Sequence, residues 1–207
     1  MTLLINWATS EDFATLFQYF WYSDFPIDRS GTGARRSDWT IHTGVVVHNI
    51  AKLMGFVVRY ESGHRKDAVL RSADGDEIVV EWEWGGVFGN ANELSKLKGH
   101  KVWPVSKKSL KYAVLITYTH TENVQSVYER VETEWGDDAG ARWPLLLILI
   151  DVNDVSKSEY FTGKEFQNIQ ISYFSEGKKV ERKEIRSGPA FPWKVTGTRM
   201  SVNWSKE

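Results

Sequence analysis

Apolar residues recur at helical spacing in the first quarter of the chain and then switch to alternation. Phe13, Leu16, Phe17 and Phe20 stand at i, i+3, i+4 and i+7, the stripe of an amphipathic helix over residues 10–22. Thr9-Ser10-Glu11-Asp12 gives that helix an N-cap with a capping-box carboxylate at Asp12. A second helix starts at Ser37 or Asp38 and ends at Gly55, a C-cap, with its apolar face centred on Val46, Ile50, Leu53 and Met54. From Phe56 the period becomes two, and residues 56–60, 67–71 and 78–84 read as three successive strands. A short helix over 90–98 and a strand over 112–118 follow. Thr121 then caps a helix that aligns Val124, Val127, Tyr128, Val131 and Trp135 on one face. Residues 144–152 form a continuous apolar strand of the kind buried in mid-sheet. Residues 167–174 and 179–185 form a hairpin across Glu176-Gly177. The expected class is α/β (α+β): a central mixed β-sheet flanked by helices, with an N-terminal helix and a C-terminal hairpin added to the core.

Length and composition narrow this. The 207 residues fit a single domain, divided into an N-terminal helix and basic loop (1–37), a core (38–152) and a C-terminal hairpin and tail (153–207). With 42% hydrophobic and 26% charged residues the chain can bury a substantial core. No apolar run approaches the roughly 18 residues of a membrane helix, and the N-terminus lacks the basic n-region of a signal peptide. Cysteine is absent, which excludes disulfides and cysteine–zinc sites and suits a reducing compartment. A cytoplasmic protein without membrane association is the expectation.

A net charge of −1 gives no general attraction to nucleic acid, but the charge is segregated. Residues 94–121 hold no acid, while Lys96, Lys98, Lys101, Lys107, Lys108 and Lys111 carry six positive charges. Residues 122–159 hold nine acids. Such separation can draw a polyanion to one face, with Arg35 and Arg36 of the basic loop and Lys96, Lys98, Lys101, Lys107 and Lys108 as candidate phosphate contacts. The plainer reading is a solvated lysine-rich loop followed by an acidic surface helix.

The segment Ile78-Val79-Val80-Glu81-Trp82-Glu83-Trp84 carries the candidate chemistry. On a strand, Ile78, Val80, Trp82 and Trp84 face the core, and Glu81 and Glu83 lie on the opposite face about 6.8 Å apart. In the preceding strand Ala68 and Leu70 share the core parity, which leaves Asp67 on the carboxylate face if an odd-length loop pairs Asp67 with Glu81. A two-residue Asp74-Gly75 turn would pair Asp67 with Trp82 instead. Convergent carboxylates repel unless a cation lies between them, and hard divalent cations take oxygen ligands, water and phosphate oxygens. An isolated Glu-x-Glu is more often two solvent-facing residues of a half-exposed strand; Asp67 and the order of elements distinguish this one.

That order resembles the PD-(D/E)xK, or restriction-endonuclease-like, nuclease superfamily, whose common core is a helix, a three-stranded meander, a second helix and a further strand. The resemblance spans residues 38–152 and rests on Asp67, thirteen intervening residues, and Glu81 in Val-Val-Glu81-Trp82-Glu83. It implies that Asp67 and Glu81 hold Mg²⁺ (or Mn²⁺). Lys66 stands where the family has proline, and Glu83 where it has lysine. The resemblance leaves two substitutes for that lysine: Glu83 as a base or additional metal ligand, or Lys96 as a lysine migrated to the next helix. It also implies a polar contribution from the first core helix, for which His42, His48 and Asn49 are candidates, although a helical histidine is more often a boundary residue.

The function expected is a Mg-dependent endonuclease hydrolysing phosphodiester bonds, in DNA, of restriction or phage-defence type, with a homodimer where both strands are cut. The alternative is a catalytically inactive nucleic-acid-binding or protein-interaction module on the same scaffold. Asp151 at the end of the apolar strand reads equally as turn chemistry. Ser30-Gly31-Thr32-Gly33 lacks the Lys-Ser/Thr of a phosphate loop. Acyl-transfer and zinc-hydrolase motifs are absent.

Overall fold

The computed structural model describes residues 9–23, 36–62, 66–84, 92–104, 109–136, 143–158, 161–175 and 178–185. Its elements are α1 (Ser10–Ser23), α2 (Arg36–Leu53), β1 (Val57–Ser62), β2 (Lys66–Ser72), β3 (Gly75–Trp84), α3 (Glu93–Lys98), β4 (Tyr112–His120), a 3₁₀ turn (Thr121–Asn123), α4 (Val124–Gly136), β5 (Leu145–Ser158), β6 (Phe161–Ser175) and β7 (Lys178–Ile185). The strands form one seven-stranded sheet in sequence order. β3–β4 and β4–β5 pair parallel, and every other pair is antiparallel. The mixed sheet with flanking helices is the α+β architecture that the hydrophobic periods predict. Among the described residues no helix is long and apolar enough to cross a membrane.

The helices divide between the two faces. α1 and α2 cover the face formed by Ala68, Leu70, Ile78, Val80, Val114, Ile116, Ile148 and Ile150. α3 and α4 cover the opposite face, on Val69, Val79, Ala113, Leu115, Leu145, Leu147 and Leu149. Both parallel crossovers therefore run over one face, as crossovers of a single hand must when successive strands step across a sheet in one direction. Thr9 and Asp12 close the capping box of α1, with Thr9 N–H donating to Asp12 Oδ2 at 3.1 Å and Asp12 N–H to Thr9 Oγ1 at 3.1 Å. Gly55, at φ +78°, ends α2 in a Schellman motif, with Phe56 N–H donating to Ala51 O at 2.8 Å.

Three expectations about the elements need correction. Thr121 does not cap α4; it opens the 3₁₀ turn and donates its hydroxyl to Asp151 Oδ1 at 2.6 Å. Asp151 lies inside β5, which continues to Ser158, and also receives Asn168 Nδ2 at 3.4 Å, so it is a buried structural acceptor rather than a turn residue. Leu53 is exposed at 62%, because the buried side of α2 is built from Trp39, His42, Thr43, Val46, Val47, Ile50 and Ala51.

The register between β2 and β3 positions the site. Ser72 pairs with Gly75 across a two-residue Ala73-Asp74 turn, and Arg71 with Asp76; beyond them Leu70 pairs with Ile78, Val69 with Val79 and Ala68 with Val80. Glu77 is the extra residue of a bulge that shifts the ladder by one. The tight turn alone would set Asp67 opposite Val80; the bulge restores Glu81. Asp67 and Glu81 thus become neighbours by a two-residue turn plus a bulge, not by the odd-length loop expected.

Candidate active site

Asp67 and Glu81 are adjacent across β2 and β3 on the face covered by α3. Trp82 N–H donates to Asp67 Oδ2 at 2.7 Å, and Asp67 N–H donates to Glu81 Oε2 at 3.3 Å. Glu81 is fully buried, and its Oε1 is left without a hydrogen bond. Lys66 Nζ lies 3.7 Å from that oxygen, and its side chain is also buried. α3 completes the group. Asn92 accepts Ser95 N–H at 3.0 Å as N-cap, and Leu94 and Leu97 anchor the helix in the core. Glu93 is buried with them. Lys96 Nζ sits astride the Glu93 carboxylate, 2.8 Å from Oε1 and 2.7 Å from Oε2.

These five groups act on one another. Burial pushes the Glu81 carboxyl up to about 9, and the Asp67 and Glu93 carboxylates reinforce the shift. Burial also raises Asp67, against the lowering effect of the Trp82 N–H. Lys66 is lowered by burial, opposed by Glu81. Burial pulls Lys96 down, but its bond to Glu93 and the charges of Glu81, Glu93 and Asp67 outweigh that and leave it raised. At neutral pH the site therefore stores a proton on Glu81, where low dielectric and neighbouring anions make ionisation expensive.

Glu83 is not part of this group. Its Oε1 accepts Arg36 Nη2 at 2.9 Å and Trp84 N–H at 2.7 Å, bonds that satisfy the carboxylate away from Asp67 and Glu81. The third acid is Glu93, which the sequence reading missed. The only available signals were its i, i+3 spacing to Lys96 and the apolar pair Leu94 and Leu97, which turn that helix inward. Lys66 has no signal in the sequence beyond standing where the superfamily has proline.

The helix candidates do not reach the acids either. α2 packs on the other face of the sheet. There His42 is buried, with Nε2 2.9 Å from Trp21 O and its ring against the Trp21 indole; Asn49 is half-buried and His48 exposed on the same helix. Of the basic candidates, Arg36 is exposed and bound to Glu83, and Lys101 is exposed. Lys98 is an internal tether: its ammonium donates to Glu134 O near the C-terminus of α4 and lies 5.5 Å from the Trp135 ring. Arg35, Lys107 and Lys108 lie outside the described residues.

The donor set suits a hard divalent cation in kind. Asp67 and Glu81 offer carboxylate oxygens, and Glu81 Oε1 is a buried oxygen with no hydrogen bond of its own. Among the described residues no three histidine, aspartate or glutamate side chains are gathered closely enough to hold an ion by themselves, so water and phosphate oxygens would complete any shell. No protein-family model matches the chain, and the comparison with curated proteins finds no match.

Proposed function

We propose that this protein is a divalent-cation-dependent nuclease of the PD-(D/E)xK type that hydrolyses phosphodiester bonds in DNA. The observation that carries the reading is the cross-strand pair Asp67 and Glu81, with one buried glutamate oxygen unspent, on the sheet face covered by α3 and its Glu93–Lys96 pair. The order α2–β1–β2–β3–α3–β4, with β3 and β4 parallel, supports it as the helix, meander, helix and strand of the superfamily core.

Asp67 and Glu81 would hold Mg²⁺ or Mn²⁺, whose contribution is charge stabilisation at phosphate and a more acidic attacking water. The backbone N–H of Trp82 fixes Asp67. Glu81 would have to give up its proton to solvent to serve as a ligand. Lys96, held by Glu93, would offer its charge to the phosphate. Lys101 and Arg36 extend the basic surface that a DNA backbone would follow, and a symmetric duplex cut on both strands would call for two copies of the chain.

The test is cleavage of plasmid and single-stranded DNA with Mg²⁺ or Mn²⁺. Asp67→Ala and Glu81→Ala should each lower the rate by more than roughly a hundredfold, the several kcal/mol that phosphate charge stabilisation supplies. Equal rates in wild type and both variants overturn the assignment.

A specific feature favours a second reading. The buried Lys66 ammonium beside Glu81 is a covalently tethered cation at the acid pair, and a site neutralised from within suits a binding module that has given up catalysis. Calorimetry separates the two: no heat with millimolar Mn²⁺ together with retained DNA affinity identifies the inactive module.

A further inference from the structure

Beyond the acid pair, the carboxyl ends of β3 and β4, beside Val152 in the middle of β5, open onto a cleft of about 460 Å³. The volume falls in the range of small-ligand sites. Trp84, His120, Asn123, Ser126, Val127 and Arg130 are among the residues that line it. Trp84 stacks on the buried Tyr118 ring, with centroids 4.4 Å apart and planes 13° from parallel. It also packs against Trp39, with centroids 5.8 Å apart, and is only partly buried, so part of its ring is left to the cleft. Its indole N–H has no protein acceptor.

Across the cleft, Arg130 is 53% exposed and bonded through Nε to Glu134 Oε1 at 2.8 Å. An exposed i, i+4 pair of this kind contributes little, whereas a guanidinium on a phosphate makes stronger, charge-assisted bonds. The cleft thus offers part of an aromatic ring, the polar side chains of Asn123 and Ser126, and the guanidinium of Arg130. Planar base, hydroxyl-bearing sugar and phosphate are the chemistry that matches.

We propose that this cleft binds one unpaired nucleotide of a single-stranded nucleic acid, with the base against Trp84 and the phosphate toward Arg130. The open form of the cleft suits a chain that enters and leaves it better than an enclosed metabolite. Trp84 lies three residues beyond Glu81 on β3, roughly 10 Å along the strand and on the other face of the sheet, while Arg130 belongs to α4 on Glu81's side, so the cleft wraps the sheet end between the two. Glu134 also links Arg130 to Asn92, the cap of α3, through Asn92 Nδ2 at 3.2 Å. The inference does not depend on cleavage by the acid pair.

The experiment measures fluorescence anisotropy of a labelled single-stranded octanucleotide without divalent cations, beside a duplex of the same sequence and with AMP and dAMP as competitors. Trp84→Leu should weaken single-strand binding about tenfold. Arg130→Ala should weaken it several-fold and flatten the log–log salt dependence by about 0.7, one phosphate contact. Trp84 also packs against Trp39; if its substitution prevents folding, Arg130→Ala on the helix surface decides alone. Unchanged affinity and salt slope in Arg130→Ala, or tighter binding of the duplex, overturns the proposal. Competition by AMP or dAMP at the oligonucleotide's own concentration overturns the strand in favour of a free nucleotide. Cleavage by wild type with unaltered binding in the variants would defeat this inference alone; binding without cleavage would defeat the nuclease reading alone.

Discussion

Glu81 sets the behaviour of the site at the scale of single residues. Its folded-state pKa of about 9 stands above the ordinary glutamate value, so the folded protein takes up a proton that the unfolded chain releases. The stability linked to that proton is full below pH 4.5 and is lost as pH rises through the window from 4.5 to 9. Glu81→Gln removes the titration, and urea unfolding from pH 5 to 9 should show a flatter dependence in the variant than in wild type. If the nuclease reading holds, divalent-cation binding at pH 7 displaces the proton. The apparent binding enthalpy should then change with the ionisation enthalpy of the buffer, and affinity should rise toward pH 9. Lys66 gives a companion test. Lys66→Met leaves Glu81 without its adjacent ammonium, a loss that takes full effect only once Glu81 ionises and its charge is buried alone. The deficit should be larger at pH 9, where Glu81 ionises, than at pH 5, and unfolding free energies at the two pH values check it.

The legibility of these residues differed for a physical reason. Alternation in β2 and β3 marks which side chains share a face, so the match of Asp67 with Glu81 was readable. Alternation says nothing about depth, so the complete burial of Glu81 and Lys66 was not. Glu93 was hidden because a six-residue helix gives too few turns to reveal its inward side. Glu83 has the parity of Glu81, and only the tertiary approach of Arg36 separates their environments.

At the scale of elements, the β2–β3 turn determines whether the acids meet. Gly75 has φ +112°, and a Cβ there would lie 2.1 Å from Trp103 O, so only glycine fits against that segment. The next residue, Asp76, is buried and accepts Arg71 Nε at 2.5 Å and Trp103 N–H at 2.9 Å, with His100 Nε2 at 3.1 Å. These bonds lock the turn, and Ser72 Oγ donating to Glu77 Oε1 at 2.5 Å ties down the bulge. Gly75→Ala should cost at least about 2 kcal/mol in chemical denaturation, the scale of a forced backbone change. The bulge itself was invisible in the sequence, since Asp74-Gly75 reads as a hairpin signal and no local pattern announces an extra residue. The lengths of β5 and β6 escaped for a related reason: the polar run after Val152 resembles a loop, yet it pairs with residues 161–166.

At the scale of the whole molecule, near-zero net charge conceals a division of labour among the basic residues. Lys98 is spent on holding α3 against α4, whereas Lys101 and Lys111 are exposed. Reversing Lys101 and Lys111 to glutamate should weaken DNA binding and reduce its salt dependence while leaving the melting temperature within a few degrees. Lys98→Ala should instead lower the melting temperature. The general architecture was readable because helical and strand periods succeed each other cleanly. The allocation of lysines between tether and surface was not, because it depends on where α4 ends.

The coverage of both sheet faces has one more consequence. β4 has parallel neighbours on each side and helices above and below, so its amides should be the last to surrender their protons to deuterated solvent. α3, one and a half turns long, should label far sooner. Glu81 on β3 therefore borders the slowest-opening strand while the Lys96 ammonium rides on a helix that opens far sooner, a fixed anvil beside a hammer free to lift.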